Sequence, residues 1–383
     1  MCGQCGDFSI LDSFGLRGLA VEPRQGFGLA VDLGTTSVVL VLFDLLTGAA
    51  VSRHGFMNPQ RIYGPDVISR ISAANDGHLD KLHCLITESL SAGITALLTS
   101  QNLPPDSVAD MVVAGNTTMA HLLLGLSCES LGVFPFKPAH ELPGNDGAMR
   151  VVPWLSGFVG GDITAGLLSV LTEGKRCFVL IDLGTNGEIA LYNDGSLTVT
   201  SVAAGPAFEG AKGGTASGLL DDLALLVREG LVDKKGRLRE NSTLFTQREI
   251  HDLQLAKSAV RTGFEVVLES ANLSIRELDA VYLAGGIGQA MKVSGAVAVG
   301  LLPETIEDRV QAVGNASLSG AARLLLPRRD QGTRWKGCVG RGKSILRNTP
   351  VFMNCLYRIC FFDGESGRKI YILICPTGGG DAR

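Results

Sequence analysis

This sequence has no excess of basic charge, no long apolar run and no basic-then-apolar leader. Lys and Arg number 34 against 38 Asp and Glu, a formal net charge of −4, and no basic stripe stands out. That argues against nucleic-acid binding, which needs a clustered positive face. No stretch reaches the roughly 18 uninterrupted apolar residues of a bilayer-crossing helix. The opening MCGQCGDFSI lacks a charged segment followed by an apolar one, so it does not read as a secretory signal. Without such a signal, the 9 cysteines read as cytosolic thiols rather than a disulfide framework. The expectation is a cytoplasmic protein that binds neither membrane nor nucleic acid.

What is present suits a large folded chain. With 383 residues, 45% hydrophobic and 19% charged, two domains of ordinary size are expected. Many of the 49 glycines end apolar runs, as tight turns leading from strands require. Residues 27–45 read as strand, turn, strand, with Gly34 breaking the run. Residues 80–100 read as a helix, MVVAG (111–115) as a buried strand, and NTTMAHLLLG as a helix that Asn116 can cap. VGGDITAGLLSVL (159–171) reads as a helix with a glycine-rich start. The pattern then restarts. Residues 177–194 are again strand, turn, strand, followed by a third strand (196–210), helices (215–230 and 249–272), a strand, Gly-Gly turn and helix (278–291), and a helix (313–326). This predicts an α/β chain of duplicated architecture with a boundary near residue 175.

The repeated device is chemically pointed. AVDLGTTSVVLVLFD (30–44) and LIDLGTNGEIALYND (180–194) each place Asp-Leu-Gly-Thr between two apolar runs. A hairpin tip of this kind offers backbone N–H groups and hydroxyls to phosphate oxygens. The preceding carboxylate suits a hydrated Mg²⁺. Ordinary turn chemistry explains a single copy equally well; two copies, one per half, favour a nucleotide whose phosphates they share.

The layout resembles the superfamily that includes actin, hexokinases, acetate kinases and the chaperone ATPases. Asp32–Thr36 resembles its first phosphate motif, Asp182–Asn186 the second, and Leu283-Ala284-Gly285-Gly286 the adenosine motif. The helices at 160–171 and 314–326 resemble the two connecting helices that cross at the hinge. GNTTMAHLLLG, NPQRIYGPDVISRI (58–71), LIDLGTNGEIAL, AAGPAFEGA (203–211) and LQLAKSAVRTG (253–263) together narrow the resemblance, over roughly residues 27–326, to the reductive activators of corrinoid proteins. That resemblance implies two actin-like (ribonuclease H-like) domains, 27–175 and 176–326, with a nucleotide cleft between them. It also implies a short N-terminal extension (1–26) and a divergent C-terminal tail (327–383). The implied activity is the ATP-driven reduction of a corrinoid protein from Co(II) to Co(I), ATP binding or hydrolysis shifting domain closure.

The resemblance distributes roles as follows. Asp32 and Asp182 position Mg²⁺, directly or through water. Gly34, Thr35, Thr36, Gly184, Thr185 and Asn186 hold phosphate. Gly285 and Gly286 let the backbone approach the nucleoside; Lys257 and Arg261, four apart on one helical face, either flank the adenine with their stems or form a solvated basic stripe. Asp162 orients an attacking water or accepts a proton, against the reading of a helix-terminal Asp satisfied by the macrodipole. Glu188 and Glu209 are further acidic candidates near the cleft. Asn116 and Thr117 read first as capping residues, and His121 as a packed histidine.

Two motifs fall outside this scheme. Gly337–Ser344 fits the P-loop pattern but lacks the strand before and the helix after, and Pro350 follows closely, so it is rejected. Cys2 and Cys5 form a lone CxxC, where a plant-type iron–sulfur cluster needs four ligands. They read as unligated thiols, as a remnant of the family's ferredoxin domain, or as half a site shared between chains; without a cluster of its own, a separate ferredoxin or other low-potential donor is expected to supply the electron. Cys338, Cys355, Cys360 and Cys375 suit no cluster spacing. A homodimer is an arrangement the resemblance allows. Rival readings are a small-molecule kinase of the same fold and a nucleotide-gated interaction module without turnover.

Overall fold

The computed structural model describes residues 23–139, 149–171, 174–184, 186–202, 204, 207–208, 216–233, 235–239, 244–326 and 370–374. They fall into two compact units, one within Met1–Thr172 and Ala316–Ser366, the other within Glu173–Asn315 and Gly367–Arg383.

In the first unit, β1 (Phe27–Leu33), β2 (Ser37–Asp44) and β3 (Ala50–Met57) form an antiparallel meander. The helices α1 (Val67–Ala73) and α2 (Leu79–Ser100) follow, then β4 (Val108–Gly115), α3 (Thr117–Leu124), a short β5 (Met149–Val151) and α4 (Gly161–Val170). The sheet order is β3-β2-β1-β4-β5, with β4 parallel to β1 and β5 parallel to β4. β1 is therefore flanked by strands on both sides and covered on both faces, which is why its sequence is an almost unbroken apolar run. Alternate side chains enter different layers. Leu29, Val31 and Leu33 pack with Leu40, Leu42, Leu82 and Ile86 on one face. Ala30 joins Val41, Phe43, Val112 and Ala114 on the other. The stretch Val67–Ser100 is apolar and long enough to cross a membrane by composition, but Asp76 and Gly77 interrupt it with non-helical angles. It is two helices, and Leu82, Ile86, Leu90, Leu97 and Leu98 serve the core.

The second unit repeats the plan. It comprises β6 (Cys177–Leu183), β7 (Gly187–Asn193), β8 (Ser196–Val202), α5 (Ala216–Arg228), α6 (Gln247–Ser270), β9 (Ala280–Ala284), α7 (Gly285–Ala290), α8 (Val293–Ala298) and β10 (Val310–Gly314). Its sheet order, β10-β9-β6-β7-β8, is the order of the first sheet read from the other edge. β6 pairs antiparallel with β7 and parallel with β9, as β1 does with β2 and β4. Phe178 stacks on Tyr192 and meets Tyr282 edge-on, filling one face, while Val179, Ile181 and Leu183 face α5 and α6.

The next helix, α9 (Ala316–Leu325), corrects the reading of 176–326 as one continuous domain. It belongs to the first unit, where Leu318, Ala321, Ala322 and Leu325 lie in one cluster with Ala30, Ala114 and Ala165 of β1, β4 and α4. Small side chains on all these elements let the helix lie close to the sheet. The two units divide within the chain at 172/173. Arg24, read as part of the N-terminal extension, is tied into the first unit by Asp110. Within the tail, β11 (Ile370–Ile374) runs parallel beside β8.

Candidate functional site

The β1–β2 hairpin turns on Gly34. Its N–H donates to the Ser37 carbonyl at 3.0 Å, and a Cβ on Gly34 would stand 2.6 Å from that oxygen, so only glycine closes this tip. Asp32 lies two residues before it, in register with Ala114 of β4. The Thr35 hydroxyl is nearly buried and accepts from the Asn116 amide at 2.9 Å. Asn116 also caps α3 by accepting from the Met119 N–H at 2.9 Å. Capping and contact with the tip are thus one arrangement. Thr117 donates instead to the Ser156 carbonyl.

Asp32 is held by a residue far away in sequence. The Ser317 hydroxyl, in the first turn of α9, donates to Asp32 Oδ1 at 2.8 Å. Asp162, in the first turn of α4, accepts from the Ile163 N–H at 2.8 Å, the local bond expected of an N-terminal Asp. Yet burial pushes its carboxyl up to about 6; the Ile163 bond resists this, and the Asp32 charge adds to it. A carboxyl with this value can exchange protons near neutrality. The sign of its effect on stability follows. Between about pH 4 and pH 6 the folded chain keeps a proton that the unfolded chain has released. Stability in nucleotide-free buffer is therefore expected to fall as pH rises through this window and to level off above it. The change is on the order of 2 kcal/mol, reduced by the partial exposure of the side chain. Asp162→Asn should flatten that slope in urea midpoints measured from pH 4 to 7.

The second hairpin follows the same plan with a tip one residue shorter, Leu183 pairing with Gly187 where Leu33 pairs with Val38. Gly184 donates to the Asn186 carbonyl at 2.9 Å, and Asp182 lies in register with Ala284 of β9, the position equivalent to that of Asp32. Across the hairpin Asp182 faces Glu188, which is buried. Gly285 follows Ala284 with φ +82°, and a Cβ there would stand 2.5 Å from Asp182 Oδ1 and from the Leu183 carbonyl. The Gly-Gly turn is thus the tight opening of α7, its backbone laid against the Asp182 carboxylate. A Cβ on Gly286 would meet nothing within 4 Å. Thr185, Glu209, Cys2, Cys5 and the 337–344 motif lie outside the described residues.

Lys257 and Arg261 share one face of α6, but their charged ends are engaged. Lys257 Nζ donates to the Val299 carbonyl at 2.7 Å, beyond the end of α8, and Arg261 pairs with Glu265 one turn on. His121 is fully buried. Its Nε2 accepts from the Ala139 N–H, which leaves the proton on Nδ1, facing the Ser127 carbonyl at 2.9 Å. Burial lowers its pKa, so it is a neutral core histidine, as read.

Three residues around the first hairpin escaped the sequence reading: Ser317, Asn58 and Arg70. Asn58 Nδ2 donates to the Gly34 carbonyl at 2.9 Å, and Arg70 Nη2 donates to the Thr35 carbonyl at 2.6 Å. The family-like stretch 58–71 was the available signal, but nothing in it distinguishes a buried arginine from a surface one.

Comparison with known proteins adds the family. Residues 27–173 match the family model described as the RACo middle region. Residues 176–216 and 229–363 match the C-terminal domain of RACo, the ASKHA domain. The corrinoid activation enzyme RamQ of Eubacterium limosum is 32% identical over 387 residues, covering 80% of this chain and 65% of that enzyme. A [Co(II) methylated amine-specific corrinoid protein] reductase of Methanosarcina barkeri is 22% identical, covering 78% and 70%. The solved structure of a reductive activator for corrinoid, iron-sulfur protein superposes with a TM-score of 0.74 at 28% identity, over 92% of this chain and 64% of that one. The chain thus spans 65% and 64% of the first curated relative and the first solved structure it matches.

Proposed function

We propose, for a chain that belongs to the RACo family, the ATP-dependent reductive activation of a corrinoid protein. One electron from a low-potential donor such as a ferredoxin takes the partner's cobalt from Co(II) to Co(I), and ATP is hydrolysed to ADP and phosphate. The observation that carries this reading is the match of the two family models to the two sheets that bear Asp32 and Asp182. The twin hairpins supply the nucleotide chemistry. Thr35 and Thr36 at the first tip, and Gly184, Thr185 and Asn186 at the second, donate to phosphate oxygens. The uphill electron transfer is driven by differential affinity: the nucleotide-bound and nucleotide-free forms grip the Co(II) and Co(I) partners unequally.

Mg²⁺ fits the donor set. Among the described residues no three His, Cys, Asp or Glu side chains gather into a metal-holding group. The protein's share is therefore one or both hairpin carboxylates, with phosphate and water completing the shell of a hard cation. When bound, the ion neutralises charge on the phosphates. Asp32 is kept in place for this by Ser317. Asp162, poised near neutral pH, accepts the proton of the attacking water.

The test is anaerobic. The protein is mixed with a Co(II) corrinoid protein, a low-potential reductant and Mg-ATP, and the visible spectrum is followed. Co(I) that forms only with ATP supports the proposal. If no Co(I) forms even with a separately supplied ferredoxin, while ATP still binds, the proposal fails in favour of a kinase or a nucleotide-gated module.

A further inference from the structure

Three successive carbonyls at the first hairpin tip are held by one stretch of chain. The Gly34 carbonyl accepts from Asn58 Nδ2 at 2.9 Å, that of Thr35 from Arg70 Nη2 at 2.6 Å, and that of Thr36 from the Asn58 N–H at 2.9 Å. Both side chains have zero solvent exposure, so the three carbonyls point into the protein. In a trans peptide the following N–H points the opposite way. The amides of Thr35, Thr36 and Ser37 are therefore aimed away from this buried pair.

Arg70 is an unusual residue to find here. Its three hydrogen bonds all go to neutral atoms: the Gly64 carbonyl at 3.1 Å, the Thr35 carbonyl, and Met119 Sδ at 3.2 Å. Asp66 acts on it through space, but Asp66 Oδ1 is occupied by the backbone and hydroxyl of Ser69. Burial lowers the guanidinium only to about 10, so it remains a cation at neutral pH. A buried charge without a bonded counter-ion is costly for a fold. A phosphoryl group at the tip would supply the missing negative charge, and the low-dielectric surroundings would strengthen that attraction.

We propose that Arg70 and Asn58 are the positioning residues of the first phosphate hairpin: they draw its carbonyls inward, present its amides, and place one positive charge behind them to favour an anionic phosphoryl group. This rests on reading the hairpin as a phosphate-binding element. Neither residue touches the nucleotide; both act through the tip.

Titration calorimetry with adenosine, ADP and ATP, in the presence of Mg²⁺, separates the two readings. Wild-type protein is expected to gain affinity with each added phosphate. Binding of no adenine nucleotide by the wild type would overturn the phosphate reading itself. Arg70→Met should weaken ATP binding about tenfold to a hundredfold, the scale of a lost charge-assisted hydrogen bond, and leave adenosine affinity unchanged. Arg70→Lys, which restores the charge but not the fork of donors, should recover part of the loss. A merely structural arginine would shift the melting temperature and move adenosine and ATP together. An ATP affinity in folded Arg70→Met within about twofold of wild type would overturn the proposal. Should Arg70→Met not fold, Asn58→Asp carries the test. It keeps the shape, removes the donor to Gly34 and adds a negative charge behind the tip. The same selective loss is expected, and unchanged ATP affinity would overturn the proposal.

Discussion

Asp32→Ala is expected to lower ATP-dependent Co(I) formation by about two to three orders of magnitude, the usual cost of removing a group that organises charge in the transition state. The argument is local. Asp32 stands at the end of β1, a strand paired on both sides, so the carboxylate is carried by an interior strand of the sheet. Ser317 holds one of its oxygens. Truncation removes the charge without disturbing that frame, so the melting temperature should change little or rise. Asp162 loses its charged neighbour, and its carboxyl should move back toward the ordinary value. The pH dependence of any residual ATPase activity should shift downward accordingly. Asp44→Ala provides the control. That carboxylate only closes the exposed turn at Leu46 and Thr47, and its loss should leave activity unchanged. If Asp32→Ala keeps more than about a tenth of the wild-type rate, the hairpin is not the phosphate and metal site.

The second large effect concerns Gly320→Val. In α9 this residue lies directly on α4, where a Cβ would overlap the Ala165 carbonyl. The surroundings cannot yield: Ala165, Ala321 and Ala322 have no solvent exposure, and behind them lie Ala30 and Ala114 of the sheet. A branched side chain must therefore push the whole helix off α4. Overpacking of this kind, with loss of the layer beneath it, is expected to cost about 4 kcal/mol or more. The first unit should lose its cooperative transition in thermal denaturation. Gly320→Ala brings the same Cβ against the Ala165 backbone, so α9 must shift for it too; without the branch it should cost less than valine and leave the first unit folded but destabilised. Because Ser317 sits one turn before Gly320, even that variant should weaken the contact with Asp32, and nucleotide affinity should fall with it.

The sequence announced the hairpins because their chemistry is compact: Asp, Leu, Gly and Thr in a row, between β-branched runs, leave few other structures open. Asp32 and Asp182 accordingly occupy equivalent register positions in two sheets of the same order. The meeting of α9 with α4 was legible only through the family resemblance, not in the residues of α9 themselves. These are mostly Ala, Ser and Gly, buried on nearly every side, and such a stretch carries no stripe to say which neighbour it will meet. Arg70 was illegible for the opposite reason, since an arginine in a polar stretch is ordinarily a surface residue. Only tertiary structure buries it. The strands β3 and β10 also went unread. β3 sets Ser52, Arg53 and His54 side by side at partly buried positions, with no apolar–polar alternation, and β10 is five residues long, too short for a periodicity to declare itself.

The route of the chain through the two units has a further consequence, for how the protein is made. The second unit is contiguous apart from β11, but the first is interrupted: its closing helix, α9, is synthesised after the whole of the second unit's main sheet. Until that helix emerges, Ala30, Val41, Phe43, Val112 and Ala114 lack the layer that covers them. Arg24 Nη2 and Arg150 Nη2, anchored on Asp110, lack the Leu325 and Leu324 carbonyls they finally bind. On the ribosome, where domains generally complete in order of emergence, the order here is reversed. The main sheet of the second unit can close first, and the first unit must wait for a helix encoded after that sheet.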